Sequence, residues 1–275
     1  MSAATVAVEA ELNYLRKTGE RPVNYTYEPP PGVPRNSGVV DTRRVSIHNL
    51  RLAPSGELTL DRCGFQLVKH RSVLAQAEDY DDAKRIKALY YPEVEDTLRA
   101  LTDAQKVLVF DHTLRDGTPE HGRAGVREPV RRVHDDQTFE SAPNRVRRHL
   151  PPYEAEARLQ RRFAIVNFWR PIGATVQRTP LAMCDARSIE PADLLPSDLV
   201  YPDWTGESYS FAWNPRHRWH YVSLQRTDEV TLLKVYDSNT DGTARLTAHT
   251  AFDDPTTPVD APPRRSIEVR TLVFW

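Results

Sequence analysis

The chain has 275 residues, a formal net charge of −1, 39% hydrophobic and 27% charged residues. This is the composition of a soluble globular protein with room for a sizeable core, and its near-neutral balance argues against nucleic acid or an anionic membrane as the main partner. No segment approaches the roughly 18 apolar residues of a membrane span, and Met1 to Glu20 lacks a basic region followed by an apolar stretch.

Ala3 to Lys17 reads as a helix with Val6, Leu12 and Leu15 as its apolar positions. Pro22 to Pro34 is proline-rich and reads as an extended arm on a surface. Arg44 to Leu52 and Gly64 to Lys69 read as strands, with Pro54-Ser55-Gly56 as a turn between them. Ser72 to Thr102 reads as largely helical, interrupted at Pro92. From Lys106 short β-type runs follow one another: Val107 to Phe110, Val130 to Phe139, Phe163 to Trp169, Trp219 to Leu224, Val230 to Tyr236 and Ser266 to Phe274. Helical insertions are expected near Ala142 to Arg162 and Pro191 to Leu195, and Gln225 to Glu229 as a hairpin connection. Many short strands with turn signals indicate a sandwich or barrel. The expectation is a single domain, 1–275, in which residues 1–105 pack as an extension on a core of 106–275.

The last run has two clean rows. Ile267, Val269, Thr271 and Val273 share one face, and Arg264, Ser266, Glu268 and Arg270 the other. Such a strand is either a solvent-facing edge or a barrel strand whose inner face lines a polar ligand site. The arginine clusters Arg131-Arg132, Arg145 to Arg148 and Arg161-Arg162 read as solvated faces or ion-pair partners. Cys63 and Cys184 are too few for a disulfide framework or zinc ribbon. Neither neighbours a group that would activate a thiolate. A reducing, cytoplasmic compartment fits this usage.

His134-Asp135-Asp136 carries the chemistry. Side chains two apart in a strand point to one face, so His134 and Asp136 aim an imidazole and a carboxylate at one point. Those are two of the three ligands of a 2-His-1-carboxylate triad, which leaves open positions on a non-haem Fe(II). Alone, a three-residue H-x-D pattern is a weak signal. Farther along come His249, in His249-Thr250-Ala251-Phe252-Asp253-Asp254-Pro255, and then Arg264-Arg265-Ser266, an R-x-S pattern opening the last strand. An arginine fork helped by a hydroxyl matches a carboxylate.

The order H-x-D, distal His, R-x-S is that of 2-oxoglutarate-dependent Fe(II) oxygenases. The wording around it is more specific: Phe110 to Arg115 (FDHTLR), Val133 to Thr138 (VHDDQT), Asn167 to Ile172 (NFWRPI), Pro180 to Ser188 (PLAMCDARS), Asp228 to Ser238 and His249 to Pro255. From about Leu12 to Phe274 the chain resembles the hydroxylase/desaturase family of fungal and bacterial specialised metabolism. The resemblance implies an α+β, mainly β fold: a double-stranded β-helix (jelly roll) with an N-terminal extension and helical insertions. It implies Fe(II) and 2-oxoglutarate as cofactors, His134, Asp136 and His249 as metal ligands, and Arg264 with Ser266 as the 2-oxoglutarate anchor. It also implies a small-molecule substrate and O2. Hydroxylation, desaturation and oxidative cyclisation are all open, because the metal ligands do not set that outcome.

Two positions depart from the family pattern. Asp135 stands inside H-x-D where an apolar residue is expected, and Arg265 follows Arg264 where an acid is expected. Alternation keeps Asp135 facing away from His134. Arg270 is the alternative anchor on the same strand face as Arg264, but six residues of strand span about 20 Å, so only one of the two can hold a given carboxylate. The R-x-S pattern favours Arg264. Trp169 and Arg170 are candidates for the substrate pocket, at most one of them pointing inward, and Trp213 and Tyr221 are further candidates. His112 reads as a structural, hydrogen-bonded histidine. Two other readings use the same residues: a metal-binding partner subunit that no longer catalyses, and a zinc hydrolase with a His2Asp site. The hydrolase has no use for Arg264 or Ser266.

Overall fold

A computed structural model describes residues 6–117 and 126–275. Its strands in chain order are β1 (Ala7–Leu15), β2 (Val23–Tyr25), β3 (Val40–Asn49), β4 (Phe65–Lys69), β5 (Lys106–Asp116), β6 (Val126–Arg127), β7 (His134–Asp135), β8 (Phe163–Pro171), β9 (Leu181–Cys184), β10 (Leu194–Val200), β11 (Thr205–Phe211), β12 (Trp219–Tyr221), β13 (Glu229–Asp237), β14 (His249–Ala251) and β15 (Arg265–Phe274). They form a nine-stranded sheet in the order β1-β3-β12-β9-β14-β7-β11-β10-β2 and a six-stranded sheet in the order β4-β13-β8-β15-β5-β6. Phe65, Trp169 and Leu233 from the six-stranded sheet pack on Leu181 and Met183 from the other, so the sheets face each other. The fold is a jelly roll, mainly β, with helical insertions.

β15 lies in the middle of the six-stranded sheet, paired along its length with β5 on one side and β8 on the other. It is therefore no solvent-facing edge. Ile267, Val269 and Val273 pack outward with Val94 and Leu98 of the helix Tyr91–Thr102, together with Val107, Val109, Val166 and Phe168. Each such side chain, once buried, contributes about 1.5–3 kcal/mol relative to exposure. The opposite row, Ser266, Glu268 and Arg270, faces the space between the sheets. Directly paired residues share a face, so β5 adds Arg115, Thr113 and Asp111 there, and β8 adds Trp169 and Asn167. A polar floor is thus built inside the roll.

Several expectations are corrected. The segment Ala3 to Lys17 is not a helix: over its described residues it forms β1, in which Val8, Ala10, Leu12 and Tyr14 alternate with outward Glu9, Glu11 and Asn13. Residues 3–5 lie outside the described residues. β1 does more than pack on the core. It pairs with β3 on one side and on the other bridges Arg132, where the Val133 N–H donates to the Asn13 carbonyl at 2.9 Å. The large sheet thereby curls into a small closed barrel around Leu12, Tyr14, Ile47, Val133, Phe211, Trp219 and Phe252. β4 joins the other sheet, so the first hundred residues are woven into both.

The helical run continues through Pro92. A proline has no N–H for the preceding turn, and a wide turn over Ile86–Tyr90 takes up the mismatch, with Tyr91 N–H reaching the Ile86 carbonyl. Gln225 to Glu229 joins strands of different sheets, a crossover rather than a hairpin. Pro191 to Leu195 is one tight turn, Pro191–Asp193, leading straight into β10. Of the expected strand Val130 to Phe139, only His134–Asp135 pair as a strand. Among the described residues, no helix is long and apolar enough to cross a membrane.

Candidate metal centre

β7 is two residues long because its job is positional. It sits between β14 and β11, with His134 directly opposite His249 on one side and Ser210 on the other. The two imidazole centroids are 4.4 Å apart. His134 Nδ1 lies 2.7 Å from the Arg132 carbonyl and His249 Nδ1 lies 3.3 Å from the Thr247 carbonyl. A carbonyl only accepts, so both Nδ1 atoms carry the proton and both Nε2 atoms present a lone pair. His249 Nε2 is buried with no hydrogen-bond partner. Asp136 follows on the same side, with Oδ1 3.7 Å from His134 Nε2. One ligand atom from each of His134, Asp136 and His249 lies within 4.8 Å of the others, which suits a divalent cation bound by two imidazoles and a carboxylate.

The protonation states match. Burial, then the neighbouring His249, holds the His134 imidazole down at about 4. Burial also lowers His249. For Asp136 burial is the largest single influence and acts upward, but the Arg270 charge and hydrogen bond, with His249 and His134, together outweigh it and keep the carboxyl well below the usual range. Two neutral imidazoles beside an ionised carboxylate are what a metal requires. Asp135 is fully buried and faces the other way, across from Tyr209. Burial, then Asp136, raises its carboxyl.

Arg264, immediately before β15, is buried beneath the site. Its Nη1 donates to the Thr179 carbonyl at 2.6 Å and its guanidinium lies 5.3 Å from the Trp169 ring centroid. Thr179 adopts a positive φ of 53°, a left-handed conformation that costs a β-branched residue on the order of 1–3 kcal/mol and that clusters at ligand sites. Arg264 Nε and Ser266 Oγ are both buried without a partner. Unpaired buried donors of this kind are costly, and a carboxylate would accept from both. Burial, then Arg115, lowers the Arg264 guanidinium to about 9, so it stays charged at neutral pH.

Arg270 is differently placed. Its Nε donates to Asp136 Oδ2 at 2.9 Å, Nη1 to Asp111 and Thr113, and Nη2 to Glu268. Every nitrogen is engaged, so the alternative anchor is occupied with Asp136 and its neighbours. Trp169 faces the site. Arg170 points to the opposite side of β8, donating to the Thr227 carbonyl beside Tyr90. Trp213 is on the surface under Arg43, and Tyr221 packs on Phe252 in the small barrel. These three are corrected out of the pocket. His112 is hydrogen-bonded to the Tyr91 hydroxyl at 2.7 Å, as a structural histidine is. Sequence reading missed Asn167, whose Nδ2 donates to Asp136 Oδ2, and Arg115, Glu268 and Thr113. Asn167 stands two residues before Trp169, and that spacing was the available signal. Apolar Trp169, Val176, Leu181, Met183 and Leu233 pack together between the sheets.

A mainly β roll with an internal His-Asp-His triad beside a buried arginine–serine pair is the architecture of a non-haem iron oxygenase. A family model described as an oxidoreductase/YMDC permease-like domain matches residues 12–274. The hydroxylase/desaturase efuI of Hormonema carpetanum is 33% identical over 98% of this chain and 95% of its own length. The Fe(II)/2-oxoglutarate-dependent dioxygenase nvfI of Aspergillus novofumigatus is 33% identical over 91% of this chain and 90% of its own. A solved structure of the iron and alpha-ketoglutarate-dependent endoperoxidase NvfI superposes with a TM-score of 0.89 at 30% identity, covering 98% of this chain and 99% of that one. The chain belongs to this family of Fe(II)/2-oxoglutarate-dependent hydroxylases and desaturases. Fe(II) and 2-oxoglutarate are its cofactors, and His134, Asp136 and His249 form a site able to bind the metal.

Proposed function

We propose that His134, Asp136 and His249 hold Fe(II), that Arg264 and Ser266 bind the distal carboxylate of 2-oxoglutarate, and that the enzyme oxidises one C–H bond of a small specialised metabolite. The observation that carries this reading is the set of buried, partnerless atoms along the inner face: His249 Nε2, Arg264 Nε and Ser266 Oγ. A metal accounts for the first and a carboxylate for the other two. Bound iron with 2-oxoglutarate and O2 supplies the oxidising chemistry, with succinate and CO2 as co-products. The chain's own part is to present two neutral imidazoles and a carboxylate, hold the oxo acid in register, and seat the substrate against the dry wall around Trp169.

The Arg264–Ser266 pair speaks against a zinc hydrolase, which gives it no work, and the complete ligand set speaks against a non-catalytic subunit. We also read 1–275 as one oxygenase domain in a cytoplasmic setting, in keeping with buried, unpaired Cys63 and Cys184. The test is succinate formation from 2-oxoglutarate in air with Fe(II) and ascorbate. It should be lost in His134→Ala and in Arg264→Ala, and Zn(II) should not support it. Fe(II)-independent turnover, or activity indifferent to Arg264, would refute the reading.

A further inference from the structure

Asn167 and Arg270 converge on one oxygen. Asn167 Nδ2 and Arg270 Nε each donate to Asp136 Oδ2 at 2.9 Å, while Oδ1 faces His134 Nε2. The two donors are direct partners across β8 and β15. Arg270 is held in turn by Glu268 at 2.6 Å, Asp111 at 3.0 Å and Thr113 at 2.9 Å. Glu268 is buried, so this guanidinium is locked into the floor of the roll.

We propose that Asn167 and Arg270 are positioning residues that make Asp136 ligate the metal through Oδ1 alone. A carboxylate oxygen has two in-plane lone-pair directions, and on Oδ2 both are taken, one by a charge-assisted bond. The consequence lies in the coordination count. An octahedral ion has six positions, and two imidazoles plus one carboxylate oxygen fill three. A bidentate 2-oxo acid would take two more, leaving one for O2. Were Asp136 free to chelate through both oxygens, that last position would close. Arg270, the alternative oxo-acid anchor by strand face, is by geometry a residue that would keep a place for O2.

This inference rests on the metal-centre reading, and the experiment separates the two. The metal-free full-length chain is titrated with Mn(II), reading affinity by electron paramagnetic resonance and bound water by the water-proton relaxivity of the bound ion. Wild type should bind. Asn167→Ala should lose roughly 10-fold or more in affinity, the scale of such supporting groups. Its per-ion relaxivity should fall by about one third, as one of three waters gives way to Oδ2. Arg270→Lys, which keeps the charge and one donor, should show a smaller change in the same direction. If Asn167→Ala does not fold, Arg270→Lys decides on the same two readouts. Unchanged affinity and relaxivity in both variants would overturn the proposal, as would weaker binding with unchanged relaxivity, which would make the pair mere supports. If wild type takes up no Mn(II), or His134→Ala binds it equally well, the metal centre itself fails and this inference with it.

Discussion

His134 and His249 are direct partners across β7 and β14, with imidazole centroids 4.4 Å apart. Backbone pairing, not side-chain packing alone, sets their separation. Asp136 follows β7 directly, whereas Asn167, Ser266, Glu268 and Arg270 hang from the opposite sheet, so the roll must close before these groups meet the triad.

The proposed Arg264–Ser266 anchor gives a graded expectation for 2-oxoglutarate. Removing one partner of a buried charge pair costs on the order of 2–5 kcal/mol, so Arg264→Ala should weaken 2-oxoglutarate binding by about 30-fold or more. Ser266→Ala removes one hydrogen bond, about 1 kcal/mol or roughly 5-fold. Calorimetric titration of the Co(II) form measures both. If Arg264→Ala binds 2-oxoglutarate as wild type does, the anchor is elsewhere.

Metal binding should release almost no protons at pH 7. His134 is held at about 4 by burial and His249, His249 is lowered by burial, and Asp136 is lowered because Arg270 and the two imidazoles together outweigh burial. All three ligands are deprotonated before the metal arrives. Calorimetry in buffers of different ionisation enthalpy measures this directly. Release of about one proton per ion would mean that an imidazole is charged in the metal-free protein.

Acid should destabilise the metal-free fold well above the carboxylate range. Burial, opposed by Asp185 and aided by His48, holds His220 at about 4, against about 6.5 in an unfolded chain. The unfolded state therefore takes up the proton first, and stability falls as pH drops from about 6.5 towards 4, by on the order of 3 kcal/mol for this residue. Urea midpoints at pH 7, 6 and 5 should fall in wild type. They should fall less steeply in His220→Gln, and equal slopes would contradict the assignment.

The long elements were legible because each carries its own pattern: Phe163 to Trp169 as a buried run, Ser266 to Phe274 as two rows. The cluster His134, Asp136 and His249 was legible because H-x-D pairs an imidazole with a carboxylate and the family resemblance pointed to the distal histidine. β1 was misread because Val6, Leu12 and Leu15 were the apolar positions read, while the side chains it buries include small Ala10 and polar-tipped Tyr14. β7 was overextended because a two-residue strand has no periodicity to read. Arg170 and Tyr221 were misplaced for another reason: which face of a strand looks inward depends on the sheet it joins. Trp213 lies in the loop after β11. Asn167 opens the quoted NFWRPI stretch, but its role comes only from facing Asp136.

The closed small barrel predicts a stability effect remote from the metal. Leu12 is buried in it and Glu11 is exposed on the other face. Leu12→Ala should cost about 2–5 kcal/mol and Glu11→Ala no more than about 0.5 kcal/mol. Denaturant unfolding distinguishes them, and similar small effects would mean that β1 does not seal a core.

The most direct test of the central claim is an anaerobic Fe(II) titration with and without 2-oxoglutarate, watching for the weak visible charge-transfer band of the chelate. The band should appear in wild type only when both are present, and should be lost in His134→Ala. Iron binding without any band at saturating 2-oxoglutarate would contradict the account.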